Sequence, residues 1–261
     1  MRIGCTQICF PGRSVSDSLS YARAAGYDSL ELRVTAGGEL TPATDAAALR
    51  AWSQEAERLG VAIPSLAPDM CSGFASADAA QRESAREGLR GSLRVAAALG
   101  ADTILVHPGQ LTPQVRYDVM YANLRDIMRG IAPEAEKLRV AVGVENVWNK
   151  FLLSPLEARR FLEEVGSEYV GVYFDVGNFV PWAYPEHWIE ILGRGVKKVH
   201  FKDFHRSDRR FVPLLEGDVD WPAVMRALRA TGYDSDVIQE VAGDEPGMRR
   251  AAEAMRQILA M

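Results

Sequence analysis

Four side chains able to bind a cation and to move protons stand at the ends of four successive apolar runs. They are Glu145 in GVENVW, Asp175 in YFDVGN, His200 in VHFKDF and Glu240 in IQEV. One such residue alone is ordinarily a solvent-facing strand end or a partner for a neighbouring loop. Four in succession argue for a shared site. Three carboxylates and one imidazole suit one divalent cation that prefers oxygen, Mn²⁺, Mg²⁺ or Co²⁺, with Zn²⁺ as the alternative. A structural Zn²⁺ site more often uses cysteine or several histidines. Glu145 and Glu240 come from runs separated by those that carry Asp175 and His200. On a barrel they face each other across the mouth, where two carboxylates can remove a proton from one face of a bound molecule and return one to the other.

The elements that must position these residues recur eight times. Short β-branched apolar runs at 2–10, 29–34, 61–67, 101–107, 141–147, 170–176, 196–204 and 236–241 alternate with amphipathic helical segments, at a spacing of about thirty residues, the size of one βα unit. Several helical segments begin with Ser, Thr or Asp and end near Gly, as helix start and stop signals do. An open doubly wound sheet usually has fewer units and often a Gly-rich phosphate turn after its first strand. Here the first turn is CFPGRSVSD, without GxGxxG. The pattern therefore predicts an α/β fold, a single (β/α)8 TIM barrel, with the active site at the C-terminal ends of the strands. No linker or composition break divides the chain, so one domain over 1–261 is expected.

Composition narrows the partners. The net charge is −5 and the basic residues are dispersed apart from short runs such as Arg206 to Arg210, which argues against a duplex-sized phosphate-binding face and so against a nucleic-acid partner. No signal peptide and no 18-residue apolar run is read, so a cytoplasmic protein with no membrane partner is expected. Cys5, Cys9 and Cys71 show no CxxC spacing and are expected to be free buried thiols.

The motifs VENVW, FDVGN, VHFKD, LLEGDVDW and QEV, in this order, resemble the xylose isomerase-like TIM-barrel sugar and sugar-phosphate isomerases and epimerases. The resemblance covers nearly the whole chain and is strongest from Val140 to Val241. It implies that Glu145, Asp175, His200 and Glu240 are the metal ligands and that Glu145 and Glu240 are the acid/base pair. The implied substrate is a small sugar or sugar phosphate: a ketose chelates the metal through its carbonyl and adjacent hydroxyl, and one glutamate takes the proton α to the carbonyl to give a metal-stabilised cis-enediolate. Return of a proton to the opposite face at the same carbon is 3-epimerisation; return to the neighbouring carbon is aldose–ketose isomerisation. The opposed glutamates favour the first. Relatives are commonly dimers or tetramers, so a homodimer or homotetramer is also implied.

Further residues carry two readings each. Lys202, on the same side of its strand as His200, either binds an oxyanion or substrate oxygen or pairs with a carboxylate. Asn178 lies where related enzymes place a substrate-binding polar group, or it caps the end of strand six. Arg206 lies six residues after His200, where epimerases of this family place an arginine near substrate, or it belongs to a solvated run. Glu216 orients a ligand or braces its loop, in which Leu215 replaces the glycine of many relatives. Trp148 closes the pocket over the apolar face of a sugar, or packs in the core. Glu31 bonds substrate hydroxyls, or forms a structural salt bridge with an arginine; His187 is read as structural. His107, in ILVHPG, faces substrate or supports the ligands from behind, or is a packed histidine.

Two rival classes are kept. Metal-dependent abasic-site DNA endonucleases of the same superfamily also carry a strand ending in HPG, but here SLAPD lacks the expected histidine and FDVGN offers asparagine where a second histidine is expected. A non-catalytic sugar-binding barrel has no need of opposed glutamates.

Overall fold

The computed structural model describes residues 1–261, apart from the side chains of Met70 and Ser72. Eight parallel strands close into a barrel. They are β1 (Ile3–Thr6), β2 (Ser29–Val34), β3 (Ser65–Pro68), β4 (Thr103–Val106), β5 (Ala141–Glu145), β6 (Val170–Asp175), β7 (Val196–Phe201) and, after a small hairpin of β8 (Asp203–His205) and β9 (Arg210–Val212), β10 (Val237–Gln239). The closed order is β1-β10-β7-β6-β5-β4-β3-β2. Eight helices follow the barrel strands: α1 (Val15–Ala25), α2 (Ala46–Leu59), α3 (Ala79–Leu99), α4 (Tyr117–Leu138), α5 (Pro155–Val165), α6 (Pro185–Leu192), α7 (Trp221–Ala230) and α8 (Glu245–Leu259). The expected (β/α)8 barrel is the fold observed. None of the described helices is long and apolar enough to cross a membrane.

The strands are near-continuous apolar runs because a parallel barrel strand is covered on both faces, by interior side chains and by helices. Ile3, Leu30, Leu66, Ile104, Val142, Phe174, Val199 and Val237 are all buried in one core cluster. Side-chain caps start six of the eight helices; among them Ser14 accepts from Asp17 N, Asp45 from Ala47 N and Ala48 N, and Asp220 from Ala223 N. Each satisfies an amide the first turn leaves open.

Two sequence expectations shift. The first strand was expected over 2–10 but ends at Thr6, and Gln7–Cys9 form a 3₁₀ turn with Ile8 N donating to Thr6 Oγ1. The seventh was expected over 196–204 but leaves the barrel after Phe201, whose carbonyl accepts the Glu240 amide at 3.2 Å. Because β10 stops at Gln239, residues beyond that bond have no barrel partner, and Asp203–His205 pair antiparallel with Arg210–Val212 instead. The arginine-rich stretch is the turn of this hairpin.

Candidate active site

Register brings the four candidate residues to one rim. Asp175 is the partner of His200 across β6 and β7, Glu145 ends β5 opposite Tyr173, and Glu240 directly follows β10. Each of the four offers one donor atom, and these atoms all lie within 4.8 Å of one another. Three buried atoms, Asp175 Oδ2, His200 Nδ1 and Glu240 Oε2, lack a hydrogen bond of good geometry. Buried polar atoms are ordinarily satisfied; Lys202 Nζ pairs with two of these three by charge, and His200 Nδ1 is left open toward the cluster. Ligands at about 2.0–2.6 Å from one hard cation lie no more than roughly 5 Å apart, so the cluster has the span of a single cation, and its three carboxylates and one imidazole are donors that a hard or borderline cation takes.

Charge balance is the main electrostatic fact. Lys202 Nζ lies 2.5 Å from Glu240 Oε2 and 3.1 Å from Asp175 Oδ2, and His200 Nδ1 lies 3.5 Å from Glu240 Oε2 and 3.9 Å from Glu145 Oε1. Burial and the neighbouring Glu240 push the Glu145 carboxyl well above the usual range. Burial acts on Glu240 in the same direction, but the cationic His200 and Lys202 outweigh it and hold Glu240 below that range. Two carboxylates at one site thus have opposed proton affinities.

Asp175 is fixed by two asparagines. Its Oδ1 accepts from Asn178 N at 2.7 Å, while Asn146 accepts from Asp175 N and donates to Asp175 O at 2.7 and 2.8 Å. Asn178 Nδ2 closes the ring on Asn146 O at 2.9 Å. The capping alternative for Asn178 matches these contacts, and Asn146, which the sequence reading missed, is its equal partner. Its only signal was its place beside Glu145 in VENVW.

Aromatic rings flank the cluster. The Trp148 indole N–H donates to Asn178 O, and its ring stacks on Phe211 at 5.3 Å and 24°. Lys202 Nζ lies 4.8 Å from the Phe211 ring centroid, so the β8–β9 hairpin carries a wall to the edge of the carboxylate cluster. Trp148 is 45% exposed and is no simple core residue. Phe211 was invisible in the sequence because it reaches the rim only through the hairpin.

Asp203 explains the KD and LLEGDVDW motifs as one unit. Its buried carboxylate accepts from Phe204 N, Leu215 N, Val219 N and Trp221 Nε1 at 2.9–3.3 Å. Gly217 packs so closely that an added Cβ would lie 2.1 Å from Asp203 Oδ1. Leu215 has φ +73°.

Other candidates are not among the four donors, although Glu31 touches one of them. Arg206 clamps the loop after β6, donating to Val180 O at 2.8 Å and Ala183 O at 3.1 Å, with its guanidinium over Tyr184. Glu216 is exposed and lines a cleft of about 220 Å³ with Gln239, Val241 and Arg250. His107 follows β4 and accepts the Gly109 amide on Nδ1 at 3.1 Å; burial lowers its pKa. Glu31, offered as a sugar or arginine partner, instead bonds Ser65, Tyr173 and His200. The three cysteines are buried and unpaired.

Residues 19–259 match the family described as xylose isomerase-like TIM barrel. The chain belongs to that family. A putative L-ribulose-5-phosphate 3-epimerase, SgbU, of Escherichia coli K12 is 29% identical over 86% of this chain and 82% of its own length. D-psicose 3-epimerase from Clostridium cellulolyticum H10, solved with D-tagatose, superposes with a TM-score of 0.84 at 18% identity, over 99% of both chains. The IOLI protein, solved with a binding zinc atom, superposes with a TM-score of 0.83 at 15% identity, over 100% of this chain and 98% of its own.

Proposed function

We propose that this xylose isomerase-like barrel is a divalent-metal-dependent sugar or sugar-phosphate isomerase or epimerase, and within that class a ketose or ketose-phosphate 3-epimerase. The observation that carries the proposal is the convergence of donor atoms from Glu145, Asp175, His200 and Glu240 within 4.8 Å of one another, with His200 Nδ1 3.9 Å from Glu145 Oε1 and 3.5 Å from Glu240 Oε2.

Glu145, Asp175, His200 and Glu240 would hold a divalent cation, which would supply Lewis-acid polarisation of a ketose carbonyl and so acidify the neighbouring C–H. The protein's own groups do the rest. One glutamate takes the proton from the carbon beside the carbonyl, and the other returns a proton to the opposite face, which inverts that carbon. Lys202, already between two carboxylates, offers an N–H to a developing oxyanion. The Trp148 and Phe211 wall gives the apolar face of a sugar a surface to lie on. His107 stands at the rim beside β5 as a further sugar contact. Asn178 and Arg206 act by holding the loop after β6, and Glu216, exposed in the loop after β9, is a further polar contact for the substrate. The likeness to the E. coli protein supports including a phosphorylated ketopentose among the substrates tried.

The deciding experiment is solvent deuterium exchange into a panel of ketoses and ketose phosphates, for the wild type and for Glu145→Gln and Glu240→Gln. Deuterium is expected at C3 with the wild-type protein and to be lost with either variant. A wild type that exchanges no carbon-bound proton in any sugar would sink the proposal.

A further inference from the structure

We infer that Glu31 is a positioning residue that fixes the imidazole of His200 so that Nδ1 faces the carboxylate cluster, and thereby sets the affinity of the site for its cation. The inference rests on the metal reading proposed above and extends it to a residue outside the four donors.

Glu31 lies on β2 and His200 on β7, with β1 and β10 between them in the barrel order. Both side chains are fully buried, so their contact crosses the barrel interior. A buried carboxylate is costly unless its oxygens are satisfied, and among the described residues the partners of this one are Ser65, Tyr173 and His200. Its Oε2 accepts from Tyr173 OH at 2.5 Å and from Ser65 Oγ at 2.7 Å. Its Oε1 lies 3.2 Å from His200 Nε2. With Oε2 taken by two hydroxyls, Oε1 is left for the imidazole.

An imidazole that binds a cation is neutral, with one N–H and one lone pair. A carboxylate only accepts, so it draws the N–H to Nε2 and leaves the lone pair on Nδ1, the atom that lies 3.5 Å from Glu240 Oε2 and has no hydrogen-bond partner. The Tyr173 ring, 4.5 Å from the imidazole, walls the other side. Glu31, Ser65 and Tyr173 come from three strands, so the ring orientation is set by the barrel itself. Outer partners of ligating histidines typically change metal affinity about 10- to 100-fold when removed.

Only four histidines are present, so ¹⁵N-histidine labelling and long-range proton–nitrogen spectra of Zn²⁺-loaded wild type can resolve each ring. His200 is expected to carry its proton on Nε2 and to bind through Nδ1. In calorimetric titrations with Mn²⁺, Glu31→Leu is expected to weaken binding by about 10- to 100-fold, and Glu31→Gln, which keeps an acceptor oxygen, to recover most of that loss. A merely structural role would lower the melting temperature of both variants without separating their affinities. Zinc bound through Nε2, or a leucine variant that binds Mn²⁺ as tightly as the wild type, would overturn the inference while leaving the metal site standing. A wild type that takes up neither Zn²⁺ nor Mn²⁺ would overturn both. If the leucine variant does not fold, the tautomer in the wild type decides.

Discussion

The ammonium of Lys202 lies 2.5 Å from Glu240 Oε2 and 3.1 Å from Asp175 Oδ2, so it already neutralises two of the carboxylates that a cation would bind. A cation entering the cluster meets a like charge, whereas the metal-free protein depends on that charge. Lys202→Met should therefore act in opposite directions on the two states. Removing one partner of a buried pair costs about 3–5 kcal/mol, so the metal-free variant should melt well below the wild type. Its affinity for Mn²⁺ should rise by about tenfold or more, because a unit charge a few ångströms away is worth several kcal/mol at a partly buried site. Thermal melts with and without Mn²⁺ measure both effects, and a metal-induced gain no larger than that of the wild type would count against this account.

The wall beside Lys202 makes a kinetic prediction. Phe211 touches no proton donor or acceptor of the cluster except through the face of its ring, 4.8 Å from Lys202 Nζ. Phe211→Ala should raise KM for the accepted ketose roughly tenfold, the loss of about 1.4 kcal/mol of contact, with kcat changed far less. Steady-state kinetics would refute the wall if kcat fell and KM did not.

The barrel and its four donors were legible because both follow from periodicity. A parallel strand buried on both faces reads as an unbroken apolar run, so a lone Glu, Asp or His at its end stands out. Alternation put Lys202 on the side of His200, and its ammonium lies beside Glu240 and Asp175. Glu31 looked equally isolated, but its partners Ser65, Tyr173 and His200 lie 34, 142 and 169 residues away, and no local pattern encodes such a pairing. The β8–β9 hairpin was hidden for another reason. Its first strand continues the β-rich run of β7, and only the early end of β10 shows that the run must divide.

His107 should titrate below the ordinary histidine value, because burial penalises its charged form. The sign follows from proton counting. Between the depressed folded value and about 6.5, the unfolded chain binds more protons than the folded one, so stability is fully present above about 6.5 and is lost as pH falls through this window. His107→Asn, which keeps an acceptor for the Gly109 amide, should flatten the pH dependence of stability there. Histidine resonances followed against pH give the direct check, and a His107 midpoint above 6.5 would show the sign to be wrong.

Two neighbours in the loop braced by Asp203 should respond oppositely to substitution. Leu215 holds φ +73° while its amide donates to Asp203 Oδ2 at 3.0 Å. A left-handed conformation costs a non-glycine residue roughly 1–2 kcal/mol, and glycine removes that strain but adds about 0.4–1 kcal/mol of unfolded-state entropy. With the leucine side chain 37% exposed, Leu215→Gly should leave stability within about 1 kcal/mol of the wild type, whereas a β-branched residue there is a backbone outlier and Leu215→Val should destabilise. Gly217→Ala drives a methyl to 2.1 Å from Asp203 Oδ1, displacing a carboxylate that four donors hold. Losing even part of that network should cost about 2 kcal/mol or more. Urea unfolding of the three variants reads all of this, and a Gly217→Ala protein as stable as Leu215→Gly would show that Asp203 does not fix the loop.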